Sequence, residues 1–273
     1  MTKITAAEVS RLRKTSGAGM MDCKKALVEA EGDFDKAIEI LRKQGQKVAA
    51  KRSDRDASEG YILGKTAGNK AALLRLSCET DFVAKTDGFT GFANELVDLV
   101  LEKAPANVEE LLTLDFNGTT VAEAITEQTG RTGEKVEVSG METVEADTVV
   151  AYNHPGNRVG SVVGLNKGSF VELAKDVAMQ VAAMAPLALN KDGIPEDVIA
   201  KEVEIGKDLA IKEGKPEAMA EKIALGRLNK FFKENTLLAQ MFVKDNKKSI
   251  EQYLKEADPE LTVTEFKRFS LGD

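Results

Sequence analysis

Apolar and polar positions along the chain change their period several times, and each change marks an element. Ala71-Ala72-Leu73-Leu74-Arg75-Leu76-Ser77-Cys78 is a short apolar run entered from the turn dipeptide Gly68-Asn69, the pattern of a half-buried or buried strand. Behind it Phe89, Phe92, Ala93, Leu96, Val97 and Val100 recur at helical spacing and predict an amphipathic helix. Between the two lies Glu79-Thr80-Asp81-Phe82-Val83-Ala84-Lys85, a strand-to-helix connection of the kind on which a rigid scaffold presents function. Two readings of this bend stay open. Asp81 caps the next helix and Phe82 staples it to the core, or an acid beside a bulky ring forms a wedge for another protein.

Ahead of this bend, residues 1–45 predict three short helices punctuated by glycine. Thr5-Ala6-Ala7-Glu8 is a capping box, with Val9 and Leu12 on the apolar face behind it. Gly17-Ala18-Gly19 separates the first helix from the second, and Gly32-Asp33 ends the second and caps a third whose Phe34, Ala37, Ile38 and Leu41 face inward. The layout resembles a ubiquitin-associated bundle, in which the first loop is an interaction surface. Here that loop carries Met20 and Met21, read either as adaptable apolar contacts or as core filler. Residues 46–59 are dense in charge and poor in large apolar side chains, hence a linker or a solvated helical extension.

The rest of the chain contains a weak internal repeat. Gly156-Asn157-Arg158 precedes an apolar strand 88 residues after Gly68-Asn69-Lys70, and the same offset sets Phe170 opposite Phe82. Each copy reads as strand, Gly-Asn hairpin, strand and helix, and two such units make an α+β domain. Short helices are expected at 108–112 and 120–125, and a strand at 135–139. Pro195, Gly214 and Pro216 bound two helices whose short connection makes them an antiparallel hairpin. Val198, Glu202, Ile205 and Leu209 are expected to face Met219, Ile223 and Phe231 across it. A helix over 249–256 and a strand over 261–269 close the chain.

The predicted organisation is therefore a helical module at 1–45, a charged linker at 46–59 and a core subdomain at 60–140. A second core subdomain is built from 141–190 and 236–273, with the hairpin inserted at 191–235.

Composition narrows the chemistry. A net charge of −7 disfavours nucleic acid as the default partner. With one histidine, His154, and two cysteines, Cys23 and Cys78, in different predicted domains, neither a zinc-type ligand set nor a disulfide is expected. No signal core or membrane-length apolar run is visible, which reads as a cytoplasmic chain that binds no membrane. There is no phosphate loop, GxGxxG or HExxH, and Gly17-Ala18-Gly19 lacks the Lys-Ser/Thr that a phosphate loop needs. Glu79 and Asp81 could pass for an acid pair, but side chains at such positions point apart. His154, beside Pro155-Gly156-Asn157 at a hairpin tip, reads as a surface contact residue. No enzyme chemistry and no cofactor are expected.

Two segments carry a further resemblance. Ser16-Gly17-Ala18-Gly19-Met20-Met21-Asp22-Cys23-Lys24-Lys25-Ala26-Leu27 and Cys78-Glu79-Thr80-Asp81-Phe82-Val83-Ala84-Lys85 are similar to the two signature segments of the bacterial elongation factor Ts family, and the likeness extends through Gly226-Arg227-Leu228-Asn229-Lys230-Phe231-Phe232 to the final strand. The resemblance implies a guanine nucleotide exchange factor whose partner is elongation factor Tu, GDP-bound or nucleotide-free. It implies that Thr80, Asp81, Phe82 and Val83 enter the partner's G domain and dislodge its Mg²⁺. It also implies partner contacts for Arg13, Met20, Met21 and His154, with the helical hairpin open to self-association. Longer members of the family continue past the last strand into a helical module that also touches the partner. The alternative reading is a protein-binding adaptor of the ubiquitin-associated type.

Overall fold

The computed structural model describes residues 4–272 and is a mixed α+β structure. Its chain divides into two compact units, Met1–Leu63 with Leu74–Glu142 and Ser270–Asp273, and Gly64–Leu73 with Thr143–Phe269.

The first unit begins with α1 (Ala6–Ser16), α2 (Met20–Glu29) and α3 (Phe34–Arg52). Thr5 and Glu8 form a reciprocal capping box: the Glu8 amide donates to Thr5 Oγ1 at 3.3 Å and the Thr5 amide donates to Glu8 Oε2 at 2.7 Å. Val9, Leu12, Cys23, Ala26, Leu27 and Ala37 fill the space between the three helices. The third helix does not stop near residue 45. The charge-rich stretch that follows is built of good helix formers and continues α3 to Arg52, so the helical-extension reading is the correct one for residues 46–52.

Farther on come β1 (Glu59–Ala67), β2 (Lys70–Cys78), the single turn α4 (Asp81–Ala84), α5 (Asp87–Lys103), α6 (Val108–Thr113), the two-residue strands β3 (Asp115–Phe116) and β4 (Thr119–Thr120), α7 (Val121–Thr132) and β5 (Glu137–Glu145). Strands β1, β2 and β5 form a sheet in that order. The predicted apolar stripe of α5, from Phe89 to Val100, is buried. Helix α7 packs along α3, and where they cross Gly45 of α3 meets Gly130 of α7 backbone to backbone. Arg42 of α3 pairs with Glu127 of α7 at 3.0 Å beside this crossing.

In the second unit, β6 (Thr148–Asn153) and β7 (Val159–Leu165) pair antiparallel from Thr148 opposite Leu165 to Asn153 opposite Gly160. With β10 (Val263–Ser270) they form a sheet of order β10-β7-β6. Helix α8 (Val171–Met184) covers it, burying Ala174, Val177, Ala178 and Val181 against Val163 and Leu165, and α11 (Ile250–Ala257) adds Ile250 and Leu254. A small hairpin of β8 (Met241–Phe242) and β9 (Asp245–Ser249) precedes α11. Gln180 of α8 is fully buried, donating to Gln240 Oε1 and to the Met241 carbonyl, each at 3.1 Å, and accepting the Val243 amide at 2.9 Å.

Helices α9 (Glu196–Lys212) and α10 (Glu217–Asn235) pack side by side, bounded as predicted by Pro195, Gly214 and Pro216. Their seam differs from the expectation. The buried residues are Gly206, Ala210, Ala220, Ala224 and Leu228, whereas Ile205, Leu209 and Met219 are exposed. A Cβ on Gly206 would lie 3.1 Å from Ala224 Cα. Small side chains let the two backbones approach closely there, and the larger apolar ones are displaced to the flanks.

Candidate functional site

The connection from β2 to α5 forms one turn of helix. Thr80 caps it, its Oγ1 accepting the Val83 amide at 3.4 Å, and Thr86 Oγ1 caps α5 by accepting the Phe89 amide at 3.4 Å. Asp81 is thus the first helical residue of α4 rather than a cap, and it pairs with Lys85 across the exposed turn at 2.6 Å. Only Ala84 of this turn is buried. Phe82 is 81% exposed, so it does not staple the helix to the core. Phe170, its counterpart in the repeat, stands at the start of α8 and packs against the second unit's core.

A ring that exposed has no packing of its own to hold it, and what is fixed is the base of the turn. Both carboxylate oxygens of Glu79 accept from the single nitrogen Nη1 of Arg52 at the end of α3, at 2.9 and 2.7 Å, and Oε1 also accepts the Lys135 amide at 2.7 Å. The Lys135 amide, with the Arg52 guanidinium, holds the Glu79 carboxyl below the ordinary glutamate range. Glu134 returns the arrangement: its Oε2 accepts the Thr80 amide at 2.9 Å and its Oε1 the Thr80 hydroxyl at 2.7 Å. Two carboxylates and two amides are therefore exchanged between residues 79–80 and 134–135. Glu79 and Asp81 are no acid pair, because each is matched to its own cation. Below the turn, the Cys78 thiol donates to the Thr80 carbonyl at 3.1 Å. Burial, and then the charge of Glu134, push that thiol up to about 12.

Arg13, Met20 and Met21 flank the glycine turn between α1 and α2. Arg13 is exposed in the last turn of α1, and its carbonyl accepts the Gly17 amide at 2.8 Å. Met20 and Met21 open α2 at 58% and 62% exposure, which removes the core-filler reading. Gly17 has φ of +66°, and the Arg131 guanidinium occupies the place a Cβ would take there. This glycine pair serves to end one helix and start the next.

His154 lies in the other unit, at the tip of the β6–β7 hairpin. It is exposed, with Nδ1 3.1 Å from the Tyr152 hydroxyl, and Gly156 and Asn157 take positive φ to turn the chain. Both cysteines are buried free thiols. No helix among the described residues is long and apolar enough to cross a membrane.

Sequence reasoning placed the exposed turn but missed Arg52, Glu134 and the Lys135 amide. The nearest of these is 27 residues away in the chain, and no local pattern announces such a pairing.

A family model described as elongation factor TS matches residues 79–273. Among curated proteins, the chain is 52% identical to an elongation factor Ts from Christiangramia forsetii, covering 100% of both chains. It is 52% identical to one from Amoebophilus asiaticus, covering 98% of this chain and 99% of that one. A Bacteroides fragilis protein of the same description is 41% identical, with 98% of each chain covered.

Proposed function

The chain belongs to the elongation factor Ts family, and on that premise we propose that it is a guanine nucleotide exchange factor for elongation factor Tu, acting in translation elongation. In this reading Thr80, Asp81, Phe82 and Val83 enter the partner's nucleotide-binding domain and displace its Mg²⁺. That ion neutralises phosphate charge, so its loss removes a large electrostatic share of GDP affinity. The protein performs no covalent chemistry. It binds the nucleotide-free or distorted partner more tightly than the nucleotide-bound form, and by linkage the factor by which it weakens GDP is the factor by which GDP weakens it.

The observation that carries this reading is an apolar ring 81% exposed on a turn whose base is fastened at several points. Exposed aromatic anchors on rigid supports are the usual centres of protein interfaces. Burying a Phe is worth roughly 1.5–3 kcal/mol, or about one to two decades in an equilibrium constant. A single ring does not supply the whole coupling, so a broad interface is required. Arg13, Met20 and Met21 on the first unit and His154 on the second are further partner contacts.

The order of β1, β2 and α5 matches that of β6, β7 and α8, which supports two related subdomains. A ubiquitin-associated-like module precedes them, and the α9–α10 hairpin is inserted in the second. Self-association would rest on the exposed flanks of that hairpin, at Ile205, Leu209 and Met219.

The test is stopped-flow release of fluorescent GDP from elongation factor Tu. Phe82→Ala and Asp81→Ala are expected to keep wild-type thermal stability and to slow release, Phe82→Ala by about tenfold or more. Release at the wild-type rate by both variants would refute the proposal. Loss of all binding with Met20→Ala/Met21→Ala, alongside normal behaviour of Phe82→Ala, would favour an adaptor instead.

A further inference from the structure

An isolated single turn of helix does not form on its own, because nucleation fixes several dihedrals for one hydrogen bond. Helix α4 is only four residues long and buries only Ala84, yet it holds Phe82 outward. The order of that turn must come from its base. Of the groups there, Glu134 bonds the turn most directly, taking both donors of the N-cap residue Thr80, the amide at 2.9 Å and the hydroxyl at 2.7 Å. With its proton committed to Glu134, Thr80 Oγ1 keeps its lone pairs for the Val83 amide. Glu134 is in turn placed by the end of α7: Gly133 takes a left-handed φ of +72°, and the Glu134 amide donates to Thr132 Oγ1 at 3.2 Å.

We propose that Glu134 is a positioning residue for nucleotide exchange, holding the Thr80–Val83 turn in its projecting form before any partner arrives. The inference rests on the exchange reading above. Its physical content is preorganisation: ordering even one residue of the turn during the encounter costs roughly tenfold in equilibrium terms. A carboxylate is the side chain that fits. Both of its oxygens accept, whereas the amide of glutamine offers one acceptor and one donor group. That donor must oppose the Thr80 N–H or force the Thr80 hydroxyl to turn away.

The experiment compares E134A, E134Q, F82A and the E134A/F82A double variant in fluorescent-GDP release from elongation factor Tu, titrating the factor to saturation. Amide hydrogen exchange over residues 80–86 is measured on each variant without partner. For E134A the maximal release rate is expected to fall by about tenfold, the scale of one lost charge-assisted hydrogen bond. The half-saturating concentration should change far less, because the rest of the interface is intact, and E134Q should fall between E134A and wild type. The E134A effect should be smaller in the F82A background than in wild type, since the ring is no longer there to be misplaced and only its neighbours on the turn are left to position. Hydrogen exchange over 80–86 should quicken in E134A while the strand before it stays protected.

Wild-type maximal release by E134A with slow F82A would overturn the proposal and leave the exchange reading standing. So would unchanged protection of 80–86, or an E134A effect of equal size in the F82A background. Wild-type release by F82A would also overturn the proposal, and wild-type release by D81A beside it would bring down the exchange reading as well. Should E134A fail to fold, E134Q carries the same comparisons.

Discussion

The crossing of α3 and α7 yields a pair of substitutions with opposite signs. Gly45 and Gly130 face each other there, but their missing side chains point differently. A Cβ on Gly45 would meet Gly130 Cα at 3.5 Å and the Thr126 carbonyl oxygen at 3.6 Å, ordinary contact distances. A Cβ on Gly130 would lie 2.5 Å from Gly45 Cα, a main-chain atom with nowhere to go. Replacing an interior helical glycine by alanine gains about 0.8–1 kcal/mol of helix propensity. Gly45→Ala keeps that gain, so stability should rise by up to about 1 kcal/mol. In Gly130→Ala the helices must part by roughly 1 Å to restore normal carbon contact, and overpacking of this kind costs about 1–3 kcal/mol. Less the propensity gain, net destabilisation of up to about 2 kcal/mol follows, with Arg42 and Glu127 drawn apart beside the crossing.

Thermal unfolding followed by far-UV circular dichroism reads the difference. At about 2–4 °C per kcal/mol for a chain of this size, the two single variants should melt roughly 2–12 °C apart, Gly45→Ala above wild type and Gly130→Ala at or below it. Because the two sites touch, the double variant should be worse than the sum of the singles. Gly130→Ala melting at or above Gly45→Ala would refute the reasoning.

Two further outcomes follow from buried polar groups. Cys78 has its thiol raised to about 12 from an ordinary 9.0, so below pH 9 it stays protonated whether the chain is folded or not. Between pH 9 and about 12 the unfolded chain releases this proton and the folded one keeps it, so stability falls as pH rises through that window. Cys78→Ala should flatten the alkaline slope of a denaturation series, and the native thiol should resist iodoacetamide at pH 8 until denaturant is added. Gln180→Leu leaves the buried Gln240 Oε1 without its donor, and an unsatisfied buried group costs about 1–3 kcal/mol. Loss of about 1–3 kcal/mol in urea denaturation is therefore expected, and wild-type stability would show that a neighbouring group takes over the bond.

What could be read in advance was local. The Thr5–Glu8 capping box, the Gly-Asn turns before β2 and β7 and the Pro195, Gly214 and Pro216 stops each act within a few residues, and each fell where the pattern put it. The misreadings came from interactions that sequence spacing hides. Residues 46–52 lack large apolar side chains, yet α3 runs through them on helix propensity and its packing against α7. The α9–α10 seam was expected at the bulky residues and lies at Gly206 and Ala224, since backbone proximity favours the smallest neighbours. At the exposed turn, the sequence offers the acid as a cap, but the hydroxyl one residue earlier fills that role. Glu134, 54 residues from Thr80, could be found only once β2 and the end of α7 were placed together.

Helix α3 is an uninterrupted rod of 19 residues, about 28 Å at a rise of 1.5 Å each. Its first half is clasped by the bundle that carries Met20 and Met21, and its last residue grips Glu79 at the foot of the exposed turn. Each residue of a helix also advances the azimuth by about 100°. Chain length between Gly45 and Arg52 therefore sets an angle as well as a distance. One residue inserted there would swing the methionine face a quarter-turn or more about the rod, while every side chain on that face kept its identity.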